Sequence, residues 1–227
     1  MQPPTTNRST QEQTQKHLSH YSEVFHAHGR TARGVDWTSD NEQDLRYDRL
    51  LNILFLDPEP VKNPSILDVG CGWGGLYKRC QERNLEVRYH GIDIVSSMIT
   101  DAIQNFKDAK FSEGDVFAIP DTEQYDYVVC NGVLTLKLDS PITQMLHYSN
   151  DLIRKMFSLS KRGICFNHMS DKVNYMHPNV LYTNPLERMA WCMSELSPRI
   201  TLDHSFNSLG MENVRRTFDY ILHVFKP

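Results

Sequence analysis

Ser65-Ile66-Leu67-Asp68-Val69-Gly70-Cys71-Gly72-Trp73-Gly74-Gly75 is the stretch that decides the fold. It begins as an apolar run broken only by Asp68 and then turns to glycine at positions 70, 72, 74 and 75. A short buried strand followed by clustered glycines predicts strand, tight turn and helix start. Glycine suits such a turn because it takes positive φ and lets a ligand approach bare backbone. The first turn of the helix that follows leaves N–H groups unpaired at its positive end, where a polar or anionic ligand is favoured.

Downstream, the chain alternates. After the strand Ser65–Val69, a helix is expected from about Gly74 to Arg83, then a strand over 87–94 ending in Gly91-Ile92-Asp93. A helix over 96–106 follows, with Ser96 or Ser97 as its N-cap. Lys110–Glu113 reads as a short strand leading into Gly114-Asp115-Val116, and Tyr125–Cys130 as a buried strand entering the loop 131–140. A long helix over 141–160 has Pro at its start, and a strand over 163–167 closes the alternation. Such alternation implies a parallel, doubly wound sheet with ligands at the carboxyl ends of its strands. Residues 168–184 show no period and read as a long covering loop. A helix over 185–196 and strands over 200–206 and 218–225, an antiparallel pair, finish the sheet; Arg215-Arg216 reads as a solvated turn.

Upstream, residues 1–15 are polar and read as a disordered tail. Leu18, Tyr21, Val24 and Phe25 recur at helical spacing up to Gly29, and a second helix spans 42–56 after the loop 29–40. Three prolines between Asp57 and Pro64 end this cap. The expected division is thus a tail (1–15), a helical cap (16–60) and a catalytic domain (61–227).

The 227 residues suit one α/β domain with additions. The net charge of −4 argues against a nucleic-acid partner, since no broad basic footprint is present. No apolar run approaches the roughly 18 residues of a membrane span, and the N-terminus lacks the apolar core of a secretion signal. Five cysteines without CxxC spacing read as buried reduced thiols of a cytoplasmic protein. Ten histidines, His17-x-x-His20 and His26-x-His28 among them, form no metal template with matching acids, so no metal is expected.

Gly70, Gly72 and Gly75 satisfy the G-x-G-x-x-G dinucleotide fingerprint, which alone is weak. Asp68 separates two readings. A carboxylate there repels a pyrophosphate and favours a ligand with an ammonium or sulfonium group. Asp93, at the end of the second strand, can accept from two ribose hydroxyls. Asp115 and the next backbone N–H can hold an adenine edge.

With these residues in view, L-D-V-G-C-G-W-G, G-I-D, G-D-V and Y-D-Y-V-V-C-N-G resemble the class I S-adenosylmethionine (SAM)-dependent methyltransferases over about residues 62–168. The resemblance implies a Rossmann-like fold: a seven-stranded, mostly parallel sheet with an antiparallel last strand, plus the N-terminal helical cap. It places the loop of Asp68, Gly70, Cys71, Gly72, Trp73 and Gly74 on the methionine part of SAM. It places Asp93 and Ile94 on the ribose, Asp115 and Val116 on the adenine, and Asn131 beneath the methionine or ribose.

The acceptor side is less marked. The fourth strand ends in Cys130-Asn131-Gly132-Val133, not the D/N-P-P-Y of amino-group methylases acting on nucleic acids. Arg33, Trp37 and Arg46 are candidates for a carboxylate clamp or, equally, surface arginines and a packed Trp. Tyr175 is a candidate for a cation–π contact with the sulfonium, and His168 and His177 for general bases. The first functional reading is methyl transfer to a small molecule in bacterial secondary metabolism. A second comes from the segments G-R-T-A-R-G-V-D-W and F-N-H-M-S-D-K-V-N-Y, which resemble a small bacterial group that includes azetidine-2-carboxylate synthases. That resemblance implies that SAM is itself the substrate: its α-amine closes onto Cγ and methylthioadenosine leaves. Tyr175 near the sulfonium and Asn131, Asp139 or Asn167 near the amine would serve it. A non-catalytic partner subunit and a nicotinamide oxidoreductase are the remaining alternatives. The chain is expected to be a monomer or homodimer.

Overall fold

The structure, a computed structural model, describes residues 8–205 and 218–227. Its centre is a sheet in the order β3-β2-β1-β4-β5-β8-β7. The strands are β1 (Ser65–Val69), β2 (Arg88–Asp93), β3 (Lys110–Glu113), β4 (Tyr125–Cys130), β5 (Ser160–Ser170), β7 (Ile200–Asp203) and β8 (Asp219–Phe225), with the two-residue β6 (Tyr182–Thr183) added to the end of β5. All of the first five pair in parallel. β8 runs antiparallel to both β5 and β7. The expected sheet is therefore present, with β6 as an addition.

The helices are α1 (Arg8–His28), α2 (Asp40–Leu51), α3 (Ile53–Leu56), α4 (Gly75–Glu82), α5 (Ser96–Asn105), α6 (Ile142–Leu159) and α7 (Pro185–Glu195). They cover both faces of the sheet, which is why the central strands read as nearly continuous apolar runs. Side chains alternate across β1. Ile66 packs into one core cluster, with α2, α4 and α5, whereas Leu67 and Val69 pack into the other, with α6 and α7. Leu67, Val128, Ile164 and Leu222 are fully buried, each worth about 1.5–3 kcal/mol of transfer free energy.

Several expectations are corrected. Residues 8–15 are not a disordered tail but the first two turns of α1; residues 1–7 lie outside the described residues. Thr10, Gln13 and Thr14 are buried there, so a polar composition concealed a packed helix. The second cap helix is interrupted at Asn52 and divides into α2 and α3. The N-cap of α5 is Val95, not Ser96 or Ser97, and Asp93 Oδ1 accepts from its N–H at 2.9 Å. β5 runs three residues past Asn167 and so takes His168 into the sheet, which shortens the expected loop. β7 stops at Asp203; Phe206 and Arg215-Arg216 lie outside the described residues.

Candidate functional site

Strand order reverses between β1 and β4, and a cavity opens at the carboxyl ends of these strands and of β2. The turn after β1 supplies Asp68, Val69, Gly70, Cys71, Gly72 and Trp73 to its wall; Ile92, Asp93 and Ile94 come from β2, Gly114, Asp115 and Val116 from beyond β3, and Asn131, Gly132 and Val133 from beyond β4. The turn is built on left-handed backbone: φ is +73° at Gly70 and +55° at Gly72. A Cβ on Gly70 would lie 2.3 Å from Val133 Cγ2, so a side chain there would close the gap between the turn and the β4 loop.

Three carboxylates surround this space. Asp93 ties the turn to β2 by accepting from Gly72 N–H at 2.8 Å and from Val95 N–H. Asp68 accepts from the Tyr89 hydroxyl at 2.5 Å. Burial, with Asp93 adding repulsion, pushes the Asp68 carboxyl up to about 7 despite that bond. Burial also raises Asp93 and Asp115. Asn131 lines the cavity, and its Oδ1 is buried without a hydrogen-bond partner. A buried orphan acceptor calls for a donor, and a pair of crowded carboxylates for a cation.

Of the opposite wall, the sequence pattern marked Trp37 alone as a site candidate. Thr14, His17 and Tyr21 of α1, Val35 and Trp37 of the following loop, Tyr47 of α2 and Tyr148 and Leu152 of α6 complete it. The signals were there as helical spacings, 14/17/21 and 148/152, but polar neighbours hid the first and core packing explained the second. His17 Nε2 lies 2.7 Å from Leu136 O, and burial lowers its pKa to about 4, so the ring is neutral at pH 7.

The structure separates the remaining candidates from this cavity. Gly74 caps α4 with φ +88° and packs on Phe106 and Phe111 instead of the wall. Arg33 is exposed on the 3₁₀ turn Ala32–Val35. Arg46, 1% exposed, is committed to Asp219 and stacks on Trp37, so it is no free carboxylate clamp. Asp139 is exposed and receives Lys16 Nζ at 2.7 Å. Asn167 is buried, bonded to Gly132 N–H and to Asp219. His168 is buried between Ser149 and Tyr220, where burial holds it neutral, while His177 is exposed. Tyr175 is 67% exposed and is not part of the wall. Among the described residues no group of three His, Cys, Asp or Glu could hold a metal ion, and all five cysteines are free and buried. No helix among them is long and apolar enough to cross a membrane.

Parallel sheet, glycine turn and three strand-end carboxylates define a Rossmann-like nucleotide-binding fold with a site for a cationic, ribose-bearing ligand. A family model described as a methyltransferase domain matches residues 60–213. The chain belongs to this methyltransferase family. A Mycobacterium tuberculosis (strain ATCC 25618 / H37Rv) protein named as a methyltransferase is 26% identical over 144 residues, 63% of this chain and 86% of the relative. In fold, the chain is similar to the magnesium protoporphyrin IX methyltransferase of Synechocystis PCC 6803 solved with SAM (TM-score 0.64, 15% identity, 98% of this chain and 99% of that one). It is likewise similar to the N-methyltransferase NodS of Bradyrhizobium japonicum WM9 solved with S-adenosyl-L-homocysteine (0.62, 16%, 95% and 99%). The plantazolicin methyltransferase BpumL, solved with a triazolic desmethyl analogue and the same product, is a third (0.57, 14%, 98% and 100%).

Proposed function

We propose that this chain is a SAM-dependent methyltransferase that modifies a small molecule in bacterial secondary metabolism. One observation carries the reading: Asp68, Asp93 and Asp115 ring a bare glycine turn, and among the described residues no lysine or arginine lines the cavity. A dinucleotide pyrophosphate would meet unbalanced negative charge there, whereas a ligand carrying ammonium and sulfonium groups relieves it. In this assignment Asp68 and the turn Gly70, Cys71, Gly72 and Trp73 hold the methionine part, and the orphan Asn131 Oδ1 takes a donor from the methionine or ribose. Asp93 and Ile94 hold the ribose, and Asp115 and Val116 the adenine. When bound, SAM supplies an electrophilic methyl carbon; this chain's residues contribute orientation and exclusion of water.

The carboxylate-rich wall formed by the described residues favours a neutral or cationic acceptor, and the net negative charge disfavours nucleic acid. Buried free thiols fit a reducing, cytoplasmic setting, and the chain is taken to act as a monomer or homodimer.

One observation favours the second reading, a SAM-consuming cyclase that forms azetidine-2-carboxylate. Val35 and Trp37 of the segment G-R-T-A-R-G-V-D-W line the chamber beside the glycine turn. Incubation of the protein with SAM alone separates the two. Turnover only with an added acceptor supports methyl transfer, methylthioadenosine with azetidine-2-carboxylate supports cyclisation, and failure to bind SAM in calorimetry overturns both.

A further inference from the structure

Behind the cavity wall lies a buried polar cluster in which Asp219 is the close, bidentate partner of Arg46 and Glu42 Oε2 is a second buried carboxylate, 3.9 Å from Arg46 Nη1. Asp219, the first residue of β8, is fully buried. It accepts from Arg46 Nε at 2.5 Å and Nη2 at 3.3 Å, and its Oδ2 also accepts from Asn167 Nδ2 at 3.1 Å. Each partner then reaches the wall by a separate route. The Arg46 guanidinium lies 4.2 Å from the centre of the Trp37 ring and also donates to Glu42 O at 3.0 Å. Asn167 Oδ1 accepts from Gly132 N–H at 2.8 Å, which fixes the backbone next to Asn131. The two routes meet, because Gly132 has φ +89° and a Cβ there would sit 3.0 Å from Trp37 Cζ2.

We infer that Asp219 is a positioning residue: through Arg46 and Asn167 it sets the placement of Trp37 against Gly132, and with it the cavity's affinity for the adenosyl ligand. The inference rests on the proposed cofactor reading only for its affinity arm. The physical reason is that a buried guanidinium cannot be left unpaired. Its bidentate partner therefore dictates where the planar cation sits, and the cation dictates where the indole face sits. Asn167 adds specificity, since the Gly132 amide needs an acceptor and Asp219 orients the one available.

The test is a double-mutant cycle of D219N and W37F, read as calorimetric affinity for S-adenosyl-L-homocysteine, with Tm measured on each protein. Where a partner orients a metal ligand, its loss lowers affinity by about 10–100-fold, and the low end of that range is the benchmark for this site. D219N is expected to lose about tenfold at least, and in the W37F background the same change is expected to cost little more. Additive losses overturn the inference, because a general loss of stability does not depend on Trp37. A second readout uses the unliganded protein: D219N should raise acrylamide quenching of the emission component that W37F removes, and unchanged quenching contradicts the placement. Should D219N not fold, N167S carries the same cycle with the ion pair intact. A wild-type protein without affinity for the product would defeat the cofactor reading, while the quenching arm would still decide the positioning role.

Discussion

At the residue scale, Asp68 is the group whose chemistry depends most on what fills the cavity. Burial raises its carboxyl to about 7, above its ordinary value. The folded, empty protein therefore holds a proton there that the unfolded chain releases near pH 4. This contribution to stability is full below that pH and fades as pH rises through 7. A cationic ligand needs the carboxylate, so the affinity for SAM should increase between pH 6 and 8 with release of a proton. Calorimetry in two buffers of different ionisation enthalpy measures that proton; D68N should bind about tenfold more weakly and release none. Gly70 makes a steric statement of the same kind. G70A combines a positive φ, costing about 1–2 kcal/mol, with a Cβ 2.3 Å from Val133. Cofactor affinity should fall steeply and V133A should restore part of it; an unaffected affinity would show that the turn does not approach the ligand.

At the scale of the element, α1 is where composition misled. Its first turns are rich in Gln and Thr, yet Thr10, Gln13 and Thr14 pack inward and Thr14, His17 and Tyr21 face the cavity. A solvated-looking sequence can be buried when its partners are a ligand cavity and a polar seam, because hydrogen bonds rather than apolar area match the two surfaces. The helix is pinned by His17 to Leu136 O and by Lys16 to Asp139 and Ser140. Proline at position 13 should disrupt the helix interior at about 3 kcal/mol and release Thr14 from the wall. Q13P is therefore expected to bind SAM poorly while its strand signal in circular dichroism persists, and full affinity would remove α1 from the site. The candidates in later elements moved for a matching reason. The extra residues of β5 turned His168 from loop base into sheet core, and β8 claimed Arg46 through Asp219.

Over the whole molecule, burial lowers several histidines, which predicts a loss of stability in acid. His17 and His90 are lowered to about 4, with burial as the first cause, and burial also lowers His168 and His223. Between pH 6.5 and 4 the unfolded chain takes up protons that these rings refuse, so their contribution to stability is lost as pH falls through that window. The H17Q/H223Q protein should lose less Tm than the wild type over the same range, and parallel profiles would exclude the histidines as the cause.

The sequence by itself determined the parallel α/β order, the glycine turn and the three strand-end carboxylates. Each rests on local signals: apolar runs of strand length, positive-φ glycines, and acids within a strand or two residues past it. The tertiary structure alone decided what faces that turn. The Arg46–Asp219 pair and the Gly132–Asn167 tether join residues 173 and 35 positions apart, and α1 meets a turn some fifty residues further along the chain. No local period encodes such distances, and side chains that satisfy one another in the interior look in sequence like free surface groups or open-handed ligands.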